Sequence, residues 1–340
     1  MLLREEKLKL LQRFAQVGIT LIACALLSSC LDTKRSKTVI SMSMTPWVGY
    51  YPLYYAVARG IPERFNADVN IVETMSVQDF RRANLKSHVD GFISSNMELA
   101  QSNMLIAEPL VYVLAADYSN GGDVIIATAD IKSMEDLNGK RIGFEWDALG
   151  HYFVNAAFST VEIHDPNYKF VNIEQVSAGD SFAKGELEAY ATYPPISTQL
   201  IEEHDGLHAV FDSSEIPYLV SDIMVLKESR KDKAELLKQI WWSAIDLIEQ
   251  DPEAYAEFVA LQINSDKETA KQEMSGVRLI PKDRQEWFMK GDLINTFNLA
   301  CGVNPTNMKS CIDAFDKLYI DGQSVKSMML VKPGQMRGNQ

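Results

Sequence analysis

Residues 38–59 read TVISMSMTPWVGYYPLYYAVAR, and this stretch decides the fold class. Thr38–Met44 has strand composition. Pro52–Arg59 suits a helix entered through proline, whose missing N–H is one that a first turn leaves unbonded in any case. Between them, Trp47 and Tyr50 fall in a loop at the carboxyl end of the strand. Ligands of open α/β sheets bind in the crevice outside that end. Loop and helix start together carry Trp47, Tyr50, Tyr51, Tyr54 and Tyr55. Tyr54 and Tyr55 read as core residues of the helix. Trp47 and Tyr50 read as ring surfaces for a flat or cationic ligand.

The same strand-then-helix alternation continues outward. Val69–Thr74, Val89–Ile93 and Pro109–Ala116 have strand composition, with helices predicted over Val77–Lys86 and Met97–Leu105. A second cycle places strands at Asp123–Thr128, Arg141–Phe144, Lys169–Val176, Glu188–Tyr193 and Leu207–Phe211. Its helices are Met134–Leu137 and Gly150–Thr160. This pattern predicts α/β architecture with mostly parallel sheets. From Glu228 the chain reads as almost wholly helical, over Ala234–Gln250, Pro252–Ile263, Lys267–Met274, Trp287–Leu299 and Met308–Leu318.

The beginning of the chain reads as an export signal. Arg4, Lys7, Lys9 and Arg13 precede an apolar run from Val17 to Leu27, followed by Ser28-Ser29-Cys30. The run is shorter than the ~20 residues a bilayer core needs, so residues 1–29 are expected to be a signal peptide and not a transmembrane helix. Leu27-Ser28-Ser29-Cys30 resembles the lipobox of bacterial lipoproteins. That resemblance implies that Cys30 becomes an acylated mature N-terminus, anchored by several chains such as palmitate. Leu31 after it resembles the pattern for outer-membrane sorting in a Gram-negative host. Removing four basic and two acidic residues with the leader takes the formal net charge from −13 to −15. So acidic a body argues against nucleic acid as a partner, since that needs a positive face. Cys301 and Cys311 remain, bridged or free; a disulfide is permitted outside the cytoplasm.

Roughly 310 residues exceed what one core usually organises, so two lobes are expected. With the second α/β unit inserted into the first, one lobe is residues 38–117 plus 224–335 and the other is 118–223. The two crossings are expected near Asp117–Asp123 and Tyr218–Val225.

Several polar positions are candidates for the site. Ser94, Ser95 and Asn96 follow the predicted third strand and offer hydroxyl and amide groups; N-capping alone explains one of them. Glu98 reads equally as a first-turn charge or a ligand contact. The segment Asp117-Tyr118-Ser119-Asn120-Gly121-Gly122-Asp123 reads as a turn or a hinge, because two glycines adopt backbone angles denied to other residues. Glu145 and Asp147, with Gly150, open a helix after a strand. Such starts bind anions readily, yet two acids stand here. Together with Asp117, Asp123 and Asp222 they favour an amine or an electron-poor heterocycle. No G-x-S-x-G, Walker A or G-x-G-x-x-G motif occurs. His204 and His208 are separated by Asp205-Gly206, a turn, and do not read as a zinc pair. No cofactor and no metal are expected.

Five stretches in chain order resemble the NMT1/THI5-like solute-binding proteins, the group of nitrate, sulfonate/taurine and thiamine-pyrimidine-precursor receptors. They are Trp47–Ala56 with Gly60 and Phe65, Val89–Ala100, Asp117–Asp123 with Asp136–Glu145, Ala191–Pro194, and Phe211–Pro217 with Ser221-Asp222. The resemblance implies a type 2 periplasmic-binding-protein fold, two α/β lobes around a hinge with a helical C-terminal region. It makes Gly121 and Gly122 the hinge and Tyr193 the second lobe's aromatic contribution. It implies a non-catalytic, monomeric receptor that presents a small molecule to an ABC permease and ATPase. An amine, a pyrimidine or a sulfonate-like compound would be its ligand. Glu145 and Asp147 stand where anion-binding relatives tend to carry small hydroxyl residues. The fold also includes enzymes of thiamine-pyrimidine synthesis, so an enzyme or a ligand-sensing lipoprotein is the alternative.

Overall fold

The computed structural model describes residues 36–289 except 87, 147, 164 and 165, together with 291, 313, 315–320 and 322–328. The leader, Cys30, Cys301, Cys311, Asp147 and most of the helices expected after Trp287 lie outside the described residues. One unit ends at Thr38 and a second runs from Val39 to Gln340. The second contains both sheets, apart from the first residue of β1.

The first sheet is assembled from β1 (Thr38–Met44), β2 (Ala67–Glu73), β3 (Gly91–Ser95) and β4 (Leu110–Ser119). The second uses β5 (Val124–Ala127), β6 (Arg141–Phe144), β7 (Lys169–Asn172), β8 (Ala189–Thr192) and β9 (His208–Asp212). The chain then returns to the first sheet as β10 (Ser221–Lys227), β11 (Val277–Leu279), β12 (Leu318–Ile320) and β13 (Gln323–Ser324). The orders are β13-β12-β4-β10-β3-β1-β2, with β11 also on β4, and β7-β6-β8-β5-β9.

Both sheets are mixed, which corrects the expectation of mostly parallel strands. β1 runs parallel to β3, and β6 to β7 and β8. β10, however, is antiparallel to both β3 and β4, and β5 is antiparallel to both β8 and β9. These are the strands that enter each sheet from the other. A fully buried strand has the same composition whichever way it runs. β10 also moves the second crossing: the return is complete by Ser221, inside the expected Tyr218–Val225. The tail is less helical than expected. β11 interrupts it, and Leu318, expected to end a helix, begins β12, which pairs in parallel with β4.

Local signals explain the helices that flank the site. Ser76 and Ser95 accept the backbone N–H groups of Asp79 and Glu98, and Asp251 and Asp266 cap the helices Pro252–Gln262 and Lys267–Ser275. In the helix Ala234–Gln250, the buried residues Leu237, Ile240, Trp241, Ala244 and Ile248 recur at helical spacing. That stripe packs with Met42, Met44, Leu53 and Tyr55 into one core on the first sheet. The second sheet has its own, centred on Ile125, Ile142, Phe144, Phe153 and Phe158. Burying each such side chain contributes roughly 1.5–3 kcal/mol. Each sheet is therefore a firm base for the loops at its edge.

Candidate functional site

β1 ends at Met44, and a single turn of 3₁₀ helix, Val48–Tyr50, leads into the helix Tyr51–Ala58 with Pro52 in its first turn. Trp47, Val48, Gly49 and Tyr50 are all buried. Trp47 Nε1 donates to Asp117 Oδ1 at 3.0 Å, and Tyr50 Oη donates to Asp222 Oδ1 at 2.7 Å. Gly49 is required by close approach: a Cβ there would lie 2.3 Å from Asp117 Oδ2.

Asp117 and Asp222 face each other directly across β4 and β10, and Asp222 faces Ser95 across β10 and β3. Both carboxyl groups are withdrawn from water. Burial raises Asp117 to about 7, against hydrogen bonds with the Asp222 carboxyl and from the Trp47 indole, which act in the opposite sense. Burial and the neighbouring Asp117 raise Asp222 further. Two acids this close cannot both ionise, so they share a proton. The indole and phenol then hold that pair in place.

Two more acids stand nearer the open space. Asp123 ends the crossing into the second sheet and is 4% exposed. One of its oxygens, Oδ2, has no hydrogen-bond partner. Burial raises it to about 7, with the charges of Asp222 and Glu98 acting in the same direction. Glu98, in the first turn of the helix Asn96–Leu105, is raised to about 7 by burial and by Asp222 and Glu145.

The second sheet supplies the facing wall. Glu145 follows β6, and the helix Leu149–Thr160 begins after Ala148 with no side-chain cap. Gly150 lies against Phe144, where a Cβ would approach the Phe144 Cβ to 2.5 Å. Tyr193 follows β8, and its ring meets the edge of Trp47 at 5.6 Å. Burial and the charges of Glu98 and Glu145 hold its phenol protonated, against hydrogen bonds with Thr45 and Gln175.

These groups line two adjoining cavities that open to solvent, with about 510 and 290 Å³ of empty space when the open mouths are included. Thr45, Glu98, Asp123, Leu149 and Tyr193 line both. The larger adds Glu145 and Gly150, and the smaller adds Trp47, Tyr50, Ser95 and Asp222. Among the described residues, neither is lined by a lysine, arginine or histidine. Nor does any group of three or more His, Cys, Asp or Glu among them sit where it could hold a metal.

The expected residues thus divide. Trp47, Tyr50, Ser95, Glu145, Gly150, Tyr193 and Asp222 come together on the cavities. Asp117 stands behind them, reached through Trp47. Ser94 and Ser95 belong to β3 and do not follow it; β10 pairs with both, extending the strand past its apolar residues. Ser95 lines the cavity as a helix cap, whereas Ser94 is buried with its hydroxyl on Ser95 O. Asn96 is buried, donating to Leu219 O. Ser119 is the last residue of β4 and its hydroxyl meets that of Ser213 at 2.7 Å, tying the outgoing crossing to the returning one. Gly121 has φ +105, and Gly122 is packed under Trp47. Thr45 and Gln175 lie outside the five stretches and reach the site only through tertiary contacts, whereas Gly49 and Ser213 belong to two of those stretches without having been singled out.

The family model NMT1/THI5 like matches residues 47–246. The taurine-binding periplasmic protein of Escherichia coli (strain K12) is 26% identical over 187 residues, and the match spans 54% of either chain. Among solved structures, the periplasmic aliphatic sulphonate binding protein of E. coli superposes with TM-score 0.64 at 14% identity, covering 81% of this chain and 93% of that one. The alkanesulfonate-binding protein of Xanthomonas axonopodis pv. citri gives 0.66 at 13%, covering 84% and 98%. The nitrate-binding protein of Synechocystis PCC 6803 gives 0.64 at 10%, covering 86% and 88%. These share the periplasmic binding protein fold, and the mixed α/β architecture described above is that fold. With more than half of its length matched, the chain belongs to the NMT1/THI5-like family.

Proposed function

We propose that the protein is the solute-binding component of an ABC importer, capturing a small organic molecule between its two sheets. The observation that carries this reading is the double lining of the cavities. Thr45, Glu98 and Trp47 come from the first sheet's rim, and Glu145, Gly150 and Tyr193 from the second's. A ligand touching both rims binds the closed arrangement better and shifts the population toward it. One lobe is built on the first sheet, with residues 38–119 and the strands from Ser221 onward, and the other on the second sheet, residues 124–212. The hinge is the pair of crossings joined at Ser119 and Ser213, with Gly121 and Gly122 between. The names of the relatives support capture without catalysis.

The remaining parts of the reading rest on the sequence before the described residues. Residues 1–29 act as an export signal, Cys30 carries the lipid anchor, and the monomeric receptor works at the cell envelope beside its permease and ATPase.

Native mass spectrometry of the mature protein, purified without denaturation, is expected to show one small molecule per chain. Small-angle scattering should give a smaller radius of gyration with that molecule than after its removal. A radius that ignores the ligand would overturn the receptor.

A further inference from the structure

The cavities have an electrical character that their overall lining does not explain. Asp123 is held out of water with one oxygen unpartnered, and it lines both cavities. Protein interiors leave few such atoms unpaired, and each calls for an occupant or a purpose. Glu98 and Glu145 stand on the same walls, and no lysine, arginine or histidine among the described residues does.

One feature has the opposite sign. The uncapped first turn of the helix Leu149–Thr160 faces the larger cavity through Leu149 and Gly150. Its partial charge is equivalent to roughly +0.5. Three carboxyl groups outweigh it as soon as one or two of them ionise. A sulfonate or nitrate would need all three to stay protonated, whereas the ionised oxygens of these acids, the unpartnered Asp123 Oδ2 among them, would repel it. An ammonium group supplies both a charge and a donor. The rings of Trp47 and Tyr193, edge to face at 5.6 Å, provide an apolar wall whose π faces also attract cations.

Resting on the receptor reading above, we propose that the ligand is an organic cation, an amine or ammonium compound whose charged head lies against Asp123 and Glu98 and whose body lies against Trp47 and Tyr193. The groups facing that head are Asp123 on the crossing, Glu98 on its helix, Glu145 beyond β6, Asp222 on β10, and the phenols of Tyr50 and Tyr193. Asp117 lies one layer behind. None of them is basic, so among the described residues no cationic side chain on the cavity wall competes with the head. A cation stabilises the ionised acids and displaces their protons. Affinity therefore rises with pH through about 7, where Glu98 and Asp123 titrate, and levels off above it.

The test is isothermal titration calorimetry on the full mature chain, with putrescine, phenethylamine and tetramethylammonium set against taurine, methanesulfonate and nitrate. At least one of the amines should bind. Its affinity should increase about tenfold or more between about pH 6 and about pH 8, with an observed enthalpy whose slope against buffer ionisation enthalpy reports proton release. Asp123→Asn should weaken it about tenfold or more while leaving the circular-dichroism melt cooperative; Glu98→Gln gives the same reading should the first variant fail to fold. Binding of the sulfonates or nitrate instead, tighter at low pH, would overturn the cation yet leave a receptor that closes. Binding of no probe, with no compaction in scattering, would overturn both.

Discussion

The two rims of the cavity are built on opposite plans. On the first sheet, Trp47 and Tyr50 are each committed to a carboxylate, and those carboxylates face one another across paired strands. On the second, Glu145 is only half-buried, the helix Leu149–Thr160 starts without a cap, and Tyr193 is half-buried between Thr45 and Gln175. One rim has its strong hydrogen bonds already made, so it presents a fixed shape. The other is less buried and begins its helix without a side-chain cap, so it is the wall with more freedom to adjust. A receptor needs both, since a preorganised wall lowers the cost of ordering on binding and an unfinished wall gives the ligand something to close.

The largest expected effect falls on the braced rim. Trp47→Ala removes a nearly fully buried indole that also fills the space over Gly122. It should cost about 3–5 kcal/mol in thermal or denaturant unfolding and abolish any ligand-dependent change in tryptophan fluorescence that Trp47 reports. A loss below about 1 kcal/mol would mean that this rim is no more fixed than the other.

The second effect is on pH. Asp117, Asp123 and Glu98 are raised to about 7 by burial, above the ordinary range of about 4 that the unfolded chain keeps. Between those values the folded chain holds protons that the unfolded chain has lost. Stability without ligand is therefore greatest below about pH 4 as far as these groups decide it. It falls as pH rises toward about 7, by on the order of 3 kcal/mol. Urea midpoints measured across that window should fall; a flat profile would show that these acids are solvated and the rim is not dry.

The third and smallest is a paired measurement that sets the rims directly against each other. Tyr50→Phe leaves Asp222 without its phenol donor and should cost about 1–3 kcal/mol. Glu145→Gln, which keeps an acceptor for Gln175 N, should change stability by less than about 0.5 kcal/mol. Equal costs would erase the distinction between a braced and an open wall.

Much of this fold is legible in the amino-acid order, and its limits have physical causes. β1, β6 and the helix Ala234–Gln250 lie at the residues read from composition, because each has a clean apolar pattern and clear ends. Ser94 and Ser95 look like a loop, since short hydroxyl residues favour caps and turns. Pairing with β10, contributed from far along the chain, keeps them in a strand instead. The helices Ala178–Ala183 and Ile196–Glu203 are too short for their periodicity to register. At the site, aromatic and acidic residues beside strand ends were visible one by one. That Asp117 would lie opposite Asp222, or that one oxygen of Asp123 would be buried without a partner, depends on register and packing that no local window contains.

The strands of the second sheet come from one continuous stretch, residues 124–212, whereas the first sheet gathers strands from residues 38–119, 221–227, 277–279 and 318–324. Folding slows as the contacts that define a structure grow more distant along the chain. As the protein emerges from the ribosome, the inserted sheet can form early. β4 must wait for β12, whose Leu318 and Tyr319 pair with Leu110 and Val111 from far later in the chain. The sheet that carries the rigid wall is therefore the last to be completed, and until then the nascent chain remains unfinished along β4.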